Sequence, residues 1–327
     1  MAAAASPALT PPPGNPRFPL LDTMRALAAL SNVLTHAAGV TGFNTDNVFG
    51  AFTARLNMGV TLFFLLSGFL LYRPFVAARL EGRPPIAIAD YTRRRVLRII
   101  PAYWVALLVL ALVVGLPAFW DGPWWRSFSF TQIYWPESTV QGIFPTWTLC
   151  IEISFYLVLP FLAAGLGRLA GRRWKVELAL IGALAAASLA LRTILQAAGG
   201  SYVLQNTLAC YLVWFGAGMA LAVVSVAHAG REDDVRSLAL LARRPWVAWV
   251  AAAAVFVFVA KGLGLSRGFF IVYSDWSYLG EHVLFAVCAA LLLAPAIFGD
   301  TAGGWLRDAL AWGPLAWLGL VSYGIFL

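Results

Sequence analysis

Long apolar stretches recur along the whole chain, and short polar segments separate them. A membrane-spanning helix needs about 20 mainly apolar residues, and these stretches have that length. The pattern predicts nine helical segments, near residues 21–41, 57–77, 96–117, 143–165, 176–198, 203–226, 246–264, 278–298 and 313–327. The expected fold is therefore an all-α polytopic membrane protein with about nine transmembrane helices.

The two ends of the chain depart from this pattern. Residues 1–18 are rich in Ala and Pro, and they lack the basic segment and short apolar core of a signal peptide. They are predicted to form a flexible cytoplasmic tail before a single membrane domain at residues 19–327. The ninth segment ends at Leu327, which is too early for a full crossing of the bilayer.

Composition and charge support the membrane interpretation. The chain is 61% hydrophobic, with a formal net charge of +8. Most Arg and Lys residues lie between apolar segments on one side, so the charge indicates topology and not a nucleic-acid partner. The prediction is a multi-pass protein of the inner or plasma membrane with a cytoplasmic N-terminus. Three isolated cysteines are expected to pack as small apolar residues, and no metal site is predicted.

The first segment carries a polar stripe. Asp22, Arg25, Asn32 and His36 recur at helical spacing, and Arg25 and His36 lie roughly 16 Å apart along one face. Ionisable groups inside a bilayer are costly and usually line a polar cavity or do chemistry. His36 is therefore predicted to act as a general base. A hydrogen-bonded seam between helices is the alternative for the stripe, and for Asp22 the two interpretations stay open.

An arginine pair marks the third segment. Arg95 and Arg98 are three residues apart, so they project together from what is predicted to be the start of the helix. Guanidinium groups match phosphate oxygens, which indicates a polyphosphate site at the cytoplasmic face. The alternative is anchoring to anionic lipid.

The fourth segment carries a carboxylate. Thr148, Glu152 and Tyr156 are four residues apart, and one helix face holds all three. Glu152 is predicted to orient the imidazole, accept a substrate hydroxyl or pair with an arginine, while a structural salt bridge is the alternative. Glu281 and His282, at the start of the eighth segment, are expected at the membrane interface.

Five short motifs, in order, resemble those of the acyltransferase type 3 family of integral membrane proteins. The resemblance runs from Leu21 to Leu327, and its motifs are Leu21–Ala26 followed by His36, Phe63–Phe69, Arg94–Pro101, Trp147–Glu152 with Tyr156, and Gly319–Tyr323. The resemblance implies a tenth span after the last motif. It also implies transfer of an acyl group, usually acetyl, from cytoplasmic acyl-CoA to a hydroxyl.

The resemblance also assigns roles to residues. It implies His36 as the catalytic histidine. Beside the resemblance, Glu152 or Asn32 is predicted to fix the tautomer of this imidazole. Acyl-CoA would be the donor substrate, with no permanently bound cofactor, and the donor would engage Arg25, Arg95 and Arg98. Supporting roles fall to Asp22, Ser67, Tyr156, Ser322 and Tyr323. Acceptors of the family are envelope glycans, lipid-linked sugars and hydroxylated small molecules, and a one-step or an acyl-enzyme route is compatible with the residues.

Two other functions stay open from the sequence. A proton-coupled transporter or flippase would use Arg25, His36 and Glu152 as a proton relay. A non-catalytic scaffold is the third interpretation.

Overall fold

The computed structural model describes residues 18–116, 119–138, 141–229, 235–268, 276–298 and 305–327, and these residues contain helices and no strand. The α-helices are α1 (Pro19–Val40), α2 (Phe43–Asp46), α3 (Gly50–Thr53), α4 (Met58–Glu81), α5 (Ile88–Val109), α6 (Trp125–Phe128), α7 (Trp147–Ala170), α8 (Trp174–Ala197), α9 (Tyr202–Gln205), α10 (Leu208–Ala227), α11 (Arg236–Arg243), α12 (Pro245–Gly262), α13 (Trp276–Ile297), α14 (Trp305–Leu310), α15 (Gly313–Leu320) and α16 (Ser322–Phe326). A π-helical turn, Leu110–Val114, extends α5.

Seven helical stretches in the described part of the chain are long and apolar enough to cross a membrane. They are Gly50–Glu81, Ile88–Val114, Phe144–Ala170, Trp174–Ala197, Tyr202–Ala227, Pro245–Gly262 and Trp276–Ile297. This confirms the all-α polytopic membrane fold, while the count of nine stays a prediction. Helix α1 is long enough, but its polar stripe lowers its mean hydropathy. Most of the predicted tail, residues 1–17, lies outside the described residues.

Two boundaries differ from the sequence prediction. Helix α5 begins at Ile88, eight residues before the predicted start at 96, because polar residues continue the helix beyond its apolar part. Arg95 and Arg98 therefore lie two to three turns inside the helix and not at its start. The ninth predicted segment is broken at Val321 into α15 and α16.

Glycines bring the central helices into close contact. A Cβ on Gly68 of α4 would lie 2.2 Å from the carbonyl oxygen of Phe215, and one on Gly218 of α10 would lie 2.0 Å from that of Leu65. Small residues of this kind let membrane helices approach closely. Beside them the rings of Phe155 and Phe215 stack with centroids 4.0 Å apart, so α4, α7 and α10 form the centre of the bundle.

A buried carboxylate ties α4 to α8 near the predicted cytoplasmic side. Glu177 is fully buried and accepts hydrogen bonds from the hydroxyl of Tyr72 and from the guanidinium of Arg79. A buried charge is tolerated when it is paired and hydrogen-bonded in this way. None of these three residues lines the cavity described next.

Candidate active site

A polar cavity opens between α1, α4, α5, α7 and α16. Its volume is about 800 Å³ when the space at its mouth is included. The polar residues that line it come from five helices and are Arg25, Ser67, Arg98, Thr148, Glu152, Tyr156, Ser322 and Tyr323. Positions that are up to almost 300 residues apart in sequence thus meet around one space within the membrane bundle.

Glu152 is the hydrogen-bonding centre of this cavity. Its Oε1 accepts a hydrogen bond of 2.5 Å from Ser67 Oγ on α4 and another of 2.5 Å from the Tyr156 hydroxyl one turn along α7. Hydroxyl donors to a carboxylate form short, strong bonds. Thr148 lines the same cavity, so the predicted shared face of Thr148, Glu152 and Tyr156 is confirmed.

Three arginines gather in and beside the cavity. Arg25 forms a 2.6 Å salt bridge with Asp22, and its charge interacts with those of Arg95 and Arg98. Arg98 lines the cavity, while Arg95 lies close enough to interact electrostatically with Tyr156 and Glu152. Three guanidinium groups stand against the two carboxylates of Asp22 and Glu152, so one positive charge is in excess. Such a cluster favours an anionic ligand.

The end of the described chain completes the cavity wall. Gly319 of α15 lies against α1, since a Cβ there would be 1.9 Å from the carbonyl oxygen of Asp22. The Tyr323 hydroxyl donates a 3.0 Å hydrogen bond to the carbonyl oxygen of Ile99 on α5. Ser322 is buried and faces the same space. The late motif thus joins α1 to α5 beside the arginine cluster.

His36 and Asn32 lie outside the lining of this cavity. Asn32 is buried, and its Nδ2 donates a 2.9 Å hydrogen bond to the carbonyl oxygen of Ala28. The half-buried imidazole of His36 packs edge-on against Phe144, with ring centroids 5.6 Å apart. Phe144 precedes Thr148, a cavity residue, by one turn. The structure therefore places His36 just beyond the cavity, and its catalytic role stays a prediction.

The loop that leads into α7 is fixed by a local ion pair. Arg126 forms a 2.6 Å salt bridge with Glu137 and lies over the ring of Trp135, with its guanidinium carbon 4.1 Å from the centroid. The hydrogen bond from Arg126 lowers the pKa of the exposed Glu137 carboxyl. The hydroxyls of Tyr134 and Ser154 lie 2.8 Å apart and connect this loop to α7.

Sequence reasoning missed a second polar cluster. Glu281 and His282, which the sequence predicts at the membrane interface, are both buried within the protein, at 6% and 3% exposure. Glu281 forms a 2.7 Å salt bridge with Arg55, which is itself buried. The pairing was not predictable because Arg55 lies in a loop 226 residues away. The only signal was an adjacent acid and histidine in an otherwise apolar helix.

The fold and the cavity together define an integral membrane protein with a charged site inside its helical bundle. The family model described as "Acyltransferase domain" matches residues 18–327, so the chain belongs to the acyltransferase 3 family. This confirms the resemblance seen in the sequence motifs. No solved structure matches the chain significantly.

Curated relatives agree with the family. YrhL of Bacillus subtilis, provisionally named a peptidoglycan O-acetyltransferase, is 28% identical over 95% of this chain and 48% of its own length. The peptidoglycan O-acetyltransferase OatA of Listeria monocytogenes is 26% identical over 94% of this chain and 48% of its own length. The acyltransferase MdmB of Streptomyces mycarofaciens is 31% identical over 46% of this chain and 40% of its own. The chain thus spans about half the length of the relatives it matches most fully.

Proposed function

We propose that this chain is an O-acyltransferase that moves an acyl group, in particular acetyl, from acyl-CoA to a hydroxyl of a cell-envelope glycan. The observation that carries the proposal is one cavity in which Arg25, Arg98 and Glu152 meet inside the membrane bundle. Family membership and the O-acetyltransferase relatives support the reaction class.

The arginine cluster is the proposed binding site for the donor. CoA carries several phosphate charges, and the excess positive charge of Arg25, Arg95 and Arg98 complements them. Arg25 lies about two turns into α1, and Arg95 and Arg98 lie two to three turns into α5. The positive-inside pattern predicts that both helices begin on the cytoplasmic side of a plasma membrane. The thioester arm would then extend along the cavity past Glu152.

The proposed chemistry needs one proton acceptor and one leaving group. The acceptor hydroxyl oxygen forms a bond to the thioester carbonyl carbon, the carbon–sulfur bond breaks, and the proton of the hydroxyl ends on the CoA thiol. His36 would take that proton first, and general-base help of this kind contributes roughly 10²–10⁴-fold. Because His36 does not line the cavity and packs edge-on against Phe144, the proposal requires that the acceptor hydroxyl and the thioester meet beyond the cavity, at the imidazole.

The test is release of free thiol by the purified protein. Incubated with acetyl-CoA and a hydroxylated glycan, the protein should release CoA thiol only when both substrates are present. Glu152→Gln should lose most of that release, while Glu81→Gln, which alters an exposed carboxylate paired with Arg83, should keep it. Proton-coupled movement of the glycan without thiol release would support a transporter instead and would contradict the proposal.

A further inference from the structure

A second cavity lies between α4, α7, α8, α10 and α13. Its volume is about 460 Å³, again including its mouth. Aromatic and polar side chains share its lining, among them Asn57, Trp147, Tyr211, Trp214, Tyr278 and His282. Val60 lines both this cavity and the first one, so they share a wall on α4.

Two buried polar atoms in this lining have no hydrogen-bond partner in the described part of the chain. They are Nε2 of His282 and Oδ1 of Asn57. The His282 side chain is 3% exposed, and its ring stacks on Trp214 with centroids 4.3 Å apart, so packing fixes its position. Asn57 is the N-cap residue of α4, yet its side chain makes no capping bond. Buried polar atoms are normally paired, so both atoms are suited to a ligand.

The charged groups beside these atoms are already engaged within the protein. Glu281 pairs with Arg55 at 2.7 Å. Arg192 donates a 3.3 Å hydrogen bond to the carbonyl oxygen of Gln205 and lies over the ring of Tyr211. The groups that this cavity presents to a ligand are therefore uncharged. They are one amide oxygen, one imidazole nitrogen and several aromatic faces. Polar groups placed among aromatic walls are typical of small-molecule sites.

A sugar ring has the complementary chemistry. Its hydroxyls both donate and accept hydrogen bonds, which suits an amide oxygen and an imidazole nitrogen together. Its C–H faces are apolar and fit against an aromatic ring such as that of Trp147. An acyl-CoA fits less well, because its phosphates would meet no cation that is not already engaged.

The start of α7 links this cavity to the proposed chemistry. Phe144 contacts His36, Trp147 lines the second cavity, and Thr148 lines the first, all within about one turn. We propose that the second cavity binds a neutral sugar ring of the acceptor, held by Asn57 and His282 beside the site of transfer. The acceptor role rests on the proposed function, whereas the sugar binding itself does not.

The experiment is a titration of the full chain in detergent with an N-acetylhexosamine disaccharide, followed by saturation-transfer NMR. His282→Phe keeps the ring stacked on Trp214 but removes the nitrogen, and Asn57→Leu removes the amide. Each should weaken binding by about tenfold or more, since each removes a hydrogen bond from a buried site. His228→Phe is the matched control, because His228 contacts Trp174 and lines neither cavity. It should bind like the wild type.

Kinetics separate this inference from the proposed function. If transfer occurs, His282→Phe should raise the KM for the glycan acceptor and leave the KM for acetyl-CoA unchanged, and His282→Gln should restore part of the loss. The inference would be overturned if His282→Phe transferred the acyl group with an unaltered KM for the acceptor. It would also be overturned if the disaccharide bound the wild type and both cavity variants equally, or bound none of them. A different result would uphold the sugar site and contradict the proposed function: the wild type binds the disaccharide, both variants lose that binding, and the wild type releases no thiol.

Discussion

Ser67 of α4 donates a 2.5 Å hydrogen bond to Glu152 of α7, and the Tyr156 hydroxyl donates a second one to the same oxygen. The carboxylate is thus held between two helices with its position fixed by two neutral donors. No arginine forms a salt bridge with it in the described part of the chain, although Arg95 lies within electrostatic reach. An unpaired carboxylate with fixed geometry in a membrane cavity favours a functional role over a structural salt bridge.

Glu152→Gln should therefore reduce acyl transfer by roughly a hundredfold, the scale of loss when a positioned electrostatic group leaves an active site. Ser67 and Tyr156 can still donate to the amide oxygen, so the fold should persist. Transfer rates and the elution volume of the detergent-solubilised protein check both parts. An inactive variant that also aggregates would indicate a structural role for Glu152 instead of a functional one.

Arg98→Ala should weaken use of the donor more than use of the acceptor, because Arg98 lines the cavity at the arginine cluster. The expected change is a rise of about tenfold or more in the KM for acetyl-CoA, as for loss of a charge-assisted hydrogen bond. Arg94→Ala is the matched control, since Arg94 is exposed and does not line the cavity. Equal changes in donor and acceptor KM would identify Arg98 as a structural residue.

His36→Ala should strongly reduce transfer while the protein stays folded, because the imidazole is the proposed general base. The loss should fall within roughly 10²–10⁴-fold, the range for a general base. His228→Ala, in a histidine remote from both cavities, should retain activity. Undiminished turnover by His36→Ala would remove this histidine from the mechanism.

Gly319→Ala should lower the stability of the protein, because a methyl group there would collide with the carbonyl oxygen of Asp22. Overpacking of this kind costs about 1–3 kcal/mol, which a thermal unfolding scan in detergent can resolve. Gly324→Ala is the control, since a Cβ at Gly324 meets no atom within 4 Å. Equal melting temperatures for the two variants would show that α15 does not pack on α1 as described.

The sequence was sufficient for the helical membrane fold and for the shared face of α7. Thr148, Glu152 and Tyr156 share a cavity because a spacing of four residues dictates it, whatever surrounds the helix. The hydrophobic pattern misplaced the start of α5, because an amphipathic stretch such as Ile88–Leu97 extends a helix without looking like a membrane span.

Contacts between helices could not be predicted from the sequence. The hydrogen bond from Ser67 to Glu152 spans 85 residues, and the ion pair of Arg55 with Glu281 spans 226. Such pairs depend on close helix packing at glycines such as Gly68, which composition alone does not reveal. Residues on one face of a helix also need not share a site. Arg25 and Asn32 lie on one face of α1, yet Arg25 lines the cavity and Asn32 packs on α4.

The most direct test of the central claim is the fate of the acyl group itself. The full chain in liposomes, given isotope-labelled acetyl-CoA and a hydroxylated glycan, should yield glycan that carries the labelled acetyl ester, as read by mass spectrometry. Glu152→Gln and His36→Ala should yield almost none. Label that never reaches the glycan from the wild-type protein, or that reaches it equally with both variants, would contradict the account.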